Sequence, residues 1–236
     1  MSIPVFLAMT AWEMAKANPL PSPCGWMACH YLPGGGLTNF PQALPPGSVI
    51  LVDDSVLPHK QSIAQILSEL TYCIHRFSPR AIVLDFQKSD LPENRELAKE
   101  TQSLPCPVIV SEKYGKDVNC PILLPPIPPH CPPKDYLNPY AGREIWLEIA
   151  LESQTLTLTK DGCQEESRKK HDTPLPFYDA QLFTHYGIAC DDDAAVFILR
   201  REWSDLQKLL EEAKQYGVNA ALGLYQEFMD IKNPPR

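Results

Sequence analysis

No apolar run in the 236 residues approaches the ~20 needed to cross a bilayer, which leaves no membrane-spanning helix to expect. No basic run reaches five residues, the densest being Arg168, Lys169 and Lys170. With 21 basic against 29 acidic side chains and a formal charge of −8, the chain repels phosphate backbones, and nucleic acid is set aside as a partner. Residues 1–10 carry no basic leader, so a cytoplasmic protein is expected. The eight cysteines include no Cys-x2-Cys pair; Cys24 and Cys29 are nearest and have no matching second pair. Free thiols in a reducing compartment are therefore expected, with no metal and no disulfide framework. Pro33-Gly34-Gly35-Gly36-Leu37 lacks the Gly-Lys-Ser/Thr ending of a phosphate loop, and no Gly-x-Ser-x-Gly elbow occurs. A nucleotide enzyme or serine hydrolase is unsupported, and no cofactor is expected.

What the chain has in excess is proline, 25 residues, clustered around 19–46, 121–139 and 174–176, which predicts long ordered loops. At 44% hydrophobic and 21% charged it can bury a sizeable core. Short apolar runs at 3–9, 48–52, 81–86, 107–110, 120–124, 144–151, 181–188 and 220–225 read as strands. Helical spacing appears at 61–76, 91–102 and 203–216, the last stopped by Gly217. The segment 11–47 is too long for an ordinary connection, so a functional loop or a hidden short strand is expected there. Alternation at 144–151 and 155–159, followed by Lys160-Asp161-Gly162, signals a hairpin, and Asp191-Asp192-Asp193 reads as a second turn. Eight strands with intervening helices predict one α/β domain over 1–236, an irregular (β/α)8 TIM-type barrel with an inserted β-hairpin. The alternative is an open doubly wound α/β sheet.

In a barrel the site lies at the carboxyl ends of the strands. The polar residues there include Trp12, Asp53, Asp85, Gln87, Glu112, Tyr114, Glu148, Tyr186, Tyr225 and Glu227. Carboxylates and aromatics around one mouth suit a sugar, whose apolar ring faces stack on aromatics and whose hydroxyls bond to carboxylates. An oligosaccharide or cell-wall glycan is the expected partner. The competing reading is that acidic residues gather at strand ends because loops are solvated. On that reading Asp85 and Gln87 bond loop backbone, Asp53-Asp54 cap or solvate a loop, and His185 reads as a satisfied core histidine.

The segment Arg80-Ala81-Ile82-Val83-Leu84-Asp85-Phe86-Gln87 resembles the strand-borne Asp-x-Asp-x-Glu signature of chitinase-like (family 18) glycoside hydrolases. The segment from Gly217 to Glu227 is similar to the last strand of such barrels, with Tyr225 in the place of the aromatic at the floor of the sugar site. The resemblance implies a glycoside-hydrolase barrel in which the closing glutamate protonates the leaving oxygen and a neighbouring aspartate holds the acetamido group that acts as nucleophile. Gln87 occupies the acid position, and a carboxamide has no titratable proton to give. The expected function is thus carbohydrate binding with impaired or absent hydrolysis, Asp85, Glu112 and Glu148 being the candidate catalytic carboxylates. Trp12, Asp53, Gln87, Tyr114, Tyr186, Tyr225 and Glu227 are the candidate substrate contacts. Two alternatives stand beside it. One is an active glycosidase with a relocated acid. The other is a scaffold that uses its proline-rich loops and an exposed patch of Trp12, Trp26 and Tyr31.

Overall fold

The computed structural model describes residues 2–32, 35–56, 62–88, 91–151, 153–168, 175–190, 193–229 and 231. Of the turn expected at Asp191-Asp192-Asp193, positions 191 and 192 lie outside them, as does part of the glycine loop, Pro33-Gly34. The first half runs β1 (Val5–Met9), α1 (Ala11–Lys16), β2 (Cys24–Tyr31), β3 (Leu37–Thr38), β4 (Val49–Asp53), α2 (Ile63–Phe77), β5 (Ala81–Asp85) and α3 (Pro92–Glu100). It continues with β6 (Val108–Ser111), α4 (Glu112–Gly115), β7 (Ile122–Leu124), α5 (Pro133–Leu137) and β8 (Ile145–Ile149). An inserted sheet follows: β9 (Ser153–Thr159), β10 (Gly162–Arg168), β11 (Phe177–Asp179), β12 (Thr184–Cys190) and β13 (Ala194–Arg200). The chain returns through α6 (Trp203–Ala213), β14 (Val218–Leu224) and α7 (Tyr225–Phe228).

Eight parallel strands, β1, β2, β4, β5, β6, β7, β8 and β14, form the barrel, and the short β3 joins the same sheet antiparallel to β2. It closes because β1 pairs with both β14 and β2, so the fold is a (β/α)8 barrel and the open-sheet alternative is overturned. One expected strand leaves the barrel, and a strand hidden within 11–47 takes its place. The run at 181–188 is not a barrel strand but β12, antiparallel to β11 and β13 in the inserted sheet. The missing barrel strand is β2, hidden in the proline- and glycine-rich segment. Its pattern is broken by a register shift between Trp26 and Cys29 and by Gly25, where an added Cβ would lie 3.0 Å from Leu51 Cδ1 and 3.3 Å from Ala8 Cα. The expected hairpin is likewise larger, a five-stranded antiparallel sheet in the order β10-β9-β13-β12-β11.

Strand alternation sorts the apolar residues into three clusters. Phe6, Val49, Leu51, Val83, Ile109, Leu123, Trp146 and Leu222 point inward and fill the barrel. There Phe6 and Trp146 stack with centroids 5.3 Å apart. Outward residues of β2, β4, β5 and β6 pack under α2 and α3; those of β1, β7, β8 and β14 pack under α5 and α6. Trp26 and Tyr31 belong to the first outer cluster and are buried, the indole N–H donating to Asn39 O at 2.7 Å. Of the proposed aromatic patch only Trp12 is exposed, because the other two lie on the outward face of a strand that sequence pattern did not reveal.

The inserted sheet is held to the barrel by Arg201, which is 5% exposed. Its guanidinium donates to the carbonyls of Ile127, Pro128 and Leu182, joining the proline-rich loop after β7 to the turn before β12. Burial pulls its pKa down to about 10. Arg201→Met is expected to cost about 1.5–3 kcal/mol in urea denaturation, with hydrogen exchange speeding up in β12 before the barrel strands. Unchanged exchange in β12 would show that other contacts hold the insert.

Among the described residues no helix is long and apolar enough to cross a membrane. The eight cysteines are free, with Cys24, Cys29, Cys73 and Cys120 buried.

Candidate functional site

The inward alternation that fills the barrel with apolar side chains turns acidic at its carboxyl end. On β4 the inward residues are Val49, Leu51 and then Asp53; on β5 Ala81, Val83 and then Asp85; on β8 Trp146 and then Glu148. Asp53 and Asp85 are direct register partners, and Glu148 is the partner of Leu222 on β14. A cavity of about 390 Å³ opens here. Its apolar wall includes Met27, Leu51, Leu222, Leu224 and Pro126, and its polar groups are Asp85, Gln87, Glu148 and Glu227.

Gln87 Nε2 donates to Asp85 Oδ1 at 2.5 Å. The loop that carries it is fixed by Asp54, 3% exposed, which accepts from the backbone N–H of Gln87 at 3.1 Å, of Lys88 at 2.9 Å, and from Asn94 Nδ2 at 2.9 Å. Glu227 Oε2 accepts the Leu151 N–H at 3.0 Å, tying α7 to the segment after β8. Burial pushes the Asp85 carboxyl up; the Gln87 hydrogen bond draws it partly back, and the Asp54 and Asp53 carboxylates raise it again. Burial, and then the nearby Asp85, push Glu148 up from 4.5 to about 7. A carboxyl at that value can hold or release a proton near neutral pH.

Of the residues singled out in the sequence, the cavity thus brings together Asp85, Gln87, Glu148 and Glu227. Asp53 stands on the strand beside Asp85 and accepts the Ser55 N–H at 2.8 Å. The others lie elsewhere. Glu112 opens α4, where it pairs with Lys116 at 2.7 Å and accepts from the Tyr140 hydroxyl at 3.2 Å. Tyr114 is buried outside the barrel, edge-on to Phe86, and its hydroxyl donates to Lys88 O. Tyr186 sits on the inserted sheet against Phe177, their rings 5.3 Å apart. Trp12 is exposed on α1, with Lys16 Nζ 3.7 Å from its ring centre. Tyr225 packs against the outer cluster, because α7 begins there and turns the side chain away from the barrel axis; Leu224 faces the cavity instead. His185 is not a core residue. It lies on the inserted sheet, 3.4 Å from the Asp205 carboxylate and against the Tyr178 ring.

Sequence reasoning missed Met27, because its strand was hidden. Of the pair Asp53-Asp54, Asp53, the half singled out as a substrate contact, faces the mouth, and Asp54 is the loop-bonding half; period-2 alternation across 49–54 separates them, since only Asp53 continues the inward face. Among the described residues no group of three or more His, Cys, Asp or Glu side chains is placed to hold a metal ion.

No protein-family model matches the chain, and no curated protein matches it by sequence. Solved structures do match in three dimensions. The spore cortex-lytic enzyme SleL of Bacillus cereus superposes with a TM-score of 0.59 at 12% identity, over 94% of this chain and 70% of that one. The C-terminal domain of a putative chitinase from Desulfitobacterium hafniense DCB-2 gives 0.57 at 9% identity, over 94% and 93%. A mutant GH18 chitinase from Cycas revoluta, in complex with (GlcNAc)4, gives 0.55 at 10% identity, over 97% and 96%. These likenesses, together with the closed barrel, show that the chain shares the (β/α)8 fold of these glycoside hydrolases.

Proposed function

We propose that the cavity at the barrel mouth binds a carbohydrate and that the protein does not cut it by the acid-catalysed route of the enzymes whose fold it shares. The observation that carries this reading is the Gln87–Asp85 hydrogen bond at the cavity wall. In the family 18 resemblance residue 87 is the proton donor, and a carboxamide in that role forfeits the ~10²–10⁴-fold that general acid catalysis contributes. Polar groups converging on a concave, largely apolar wall are what a small-molecule site needs, and the Cycas revoluta enzyme of the same fold is complexed with (GlcNAc)4 and (GlcNAc)3. The test is prolonged incubation with chito-oligosaccharides, with products read by mass spectrometry. The wild-type protein is expected to release none.

A second reading is favoured by Glu148, held at about 7. In that reading Glu148 supplies the proton that Gln87 cannot. Product release by the wild-type protein that disappears in Glu148→Gln would establish it and overturn the non-cutting proposal.

A further inference from the structure

We propose that the sugar this cavity takes is an amino sugar carrying a free, protonated amine, a glucosamine unit rather than an N-acetylated or neutral one. The inference rests on the carbohydrate reading above and names its ligand class.

Among the described residues the cavity wall holds three carboxylates, Asp85, Glu148 and Glu227, and no basic side chain. Asp53, on the strand beside Asp85, adds a fourth carboxylate at the same end of the barrel. The two lysines beside Gln87 are turned to backbone: Lys88 Nζ donates to Ser55 O at 2.6 Å and Lys113 Nζ to Gln87 O at 2.9 Å. Neither lines the cavity. The ionisable groups at the wall are therefore all acidic, and low-dielectric walls of leucine, methionine and proline strengthen the negative field of those that are ionised. A uronic or other anionic sugar is repelled.

The choice between a neutral and a cationic ligand comes from two further features. The wall holds no aromatic ring among the described residues; its apolar part is aliphatic, including Leu51, Leu222 and Leu224. A neutral oligosaccharide thus lacks its usual apolar contact, and recognition falls to the polar groups. Of those groups Asp85 and Glu148 offer the ligand acceptor oxygens, while Glu227 already accepts the Leu151 N–H. Asp85 has one oxygen engaged by Gln87. The strand carries the Glu148 carboxylate inward at the cavity wall, where burial disfavours its charge. An ammonium group supplies three N–H donors and the compensating charge in one atom, whereas an acetamide supplies one donor and no charge.

Isothermal titration at pH 7 with the glucosamine, N-acetylglucosamine and glucose tetramers tests this. The glucosamine tetramer is expected to bind at least ~10-fold more tightly than either other, as a charge-assisted hydrogen bond in a desolvated site predicts. Glu148→Gln keeps the shape of the side chain and removes an unfavourably buried charge; it is expected to abolish that preference without lowering the melting temperature. Asp85→Asn provides an independent variant with the same expected loss. If the N-acetylated or the glucose tetramer binds as tightly as the glucosamine tetramer, the amino-sugar inference is overturned and the carbohydrate reading stands. If butylammonium matches the glucosamine tetramer, the cavity is a site for any cation and the inference is again overturned. If no tetramer binds, the carbohydrate reading itself fails.

Discussion

Asp54→Ala is expected to destabilise the protein by about 3–5 kcal/mol, while Asp53→Ala, one residue away, changes stability by less than about 1 kcal/mol. The two side chains leave the same strand end in opposite directions. Asp54 is 3% exposed and accepts from three donors, two of them the backbone N–H groups of Gln87 and Lys88, the third Asn94 Nδ2 on α3. Removing it leaves the buried Asn94 amide without its acceptor and frees the part-buried backbone N–H groups of Gln87 and Lys88, at a cost of ~1–3 kcal/mol for the buried group and less for each of the others. Asp53 faces the open mouth and among the described residues accepts the Ser55 N–H, and its loss also relieves repulsion with Asp85. Urea denaturation of the two variants provides the comparison. Equal costs would show that the β5–α3 loop does not depend on Asp54. Because Gln87 rides on that loop, Asp54→Asn, which keeps one acceptor, is expected to weaken ligand binding more than its smaller loss of stability would account for.

Glu148→Gln is expected to stabilise the protein above neutral pH by up to roughly 3 kcal/mol and to leave it unchanged below pH ~4. Burial and Asp85 raise the folded-state pKa of Glu148 from 4.5 to about 7. Between those values the folded protein holds a proton that the unfolded chain releases, so stability falls as pH rises through the window and levels off above it. Asp85, raised for the same reason, bends the curve in the same direction. The glutamine variant lacks the Glu148 part of that slope. Denaturation midpoints between pH 4 and 8 read the effect: convergence at low pH and divergence at high pH support a charge held under strain at the cavity wall. Parallel curves would mean that Glu148 is well solvated or paired.

Much of the barrel was legible because apolar β-branched runs such as 49–52 and 81–84 are buried on both faces, a pattern that survives without tertiary information. β2 was not, since a glycine required by close packing and a bulge erase the run. The strand at 184–190 imitated a barrel strand; its Tyr186, Ile188 and Cys190 alternate as antiparallel strands do, and only the pairing with β13 shows where it belongs. At the site, Asp85, Gln87 and Glu148 were readable because each extends an inward face by one alternation. Tyr225 was not, because the strand ends at Leu224 and the helical turn that follows reverses the direction of the next side chain. Glu112 and Tyr114 follow β6 in the same way and are carried into α4, away from the mouth.

The central claim is that the cavity at the carboxyl end of the barrel is a sugar site in which Asp85 takes part. Its most direct test is calorimetric titration of the three tetrasaccharides into the wild-type protein and into Asp85→Ala, with the melting temperature of both recorded alongside. Stoichiometric binding of at least one tetrasaccharide at millimolar concentration or below is expected, lost in Asp85→Ala while the melting temperature stays within about 2 °C. Absence of binding by all three, or binding that survives in Asp85→Ala, would contradict it.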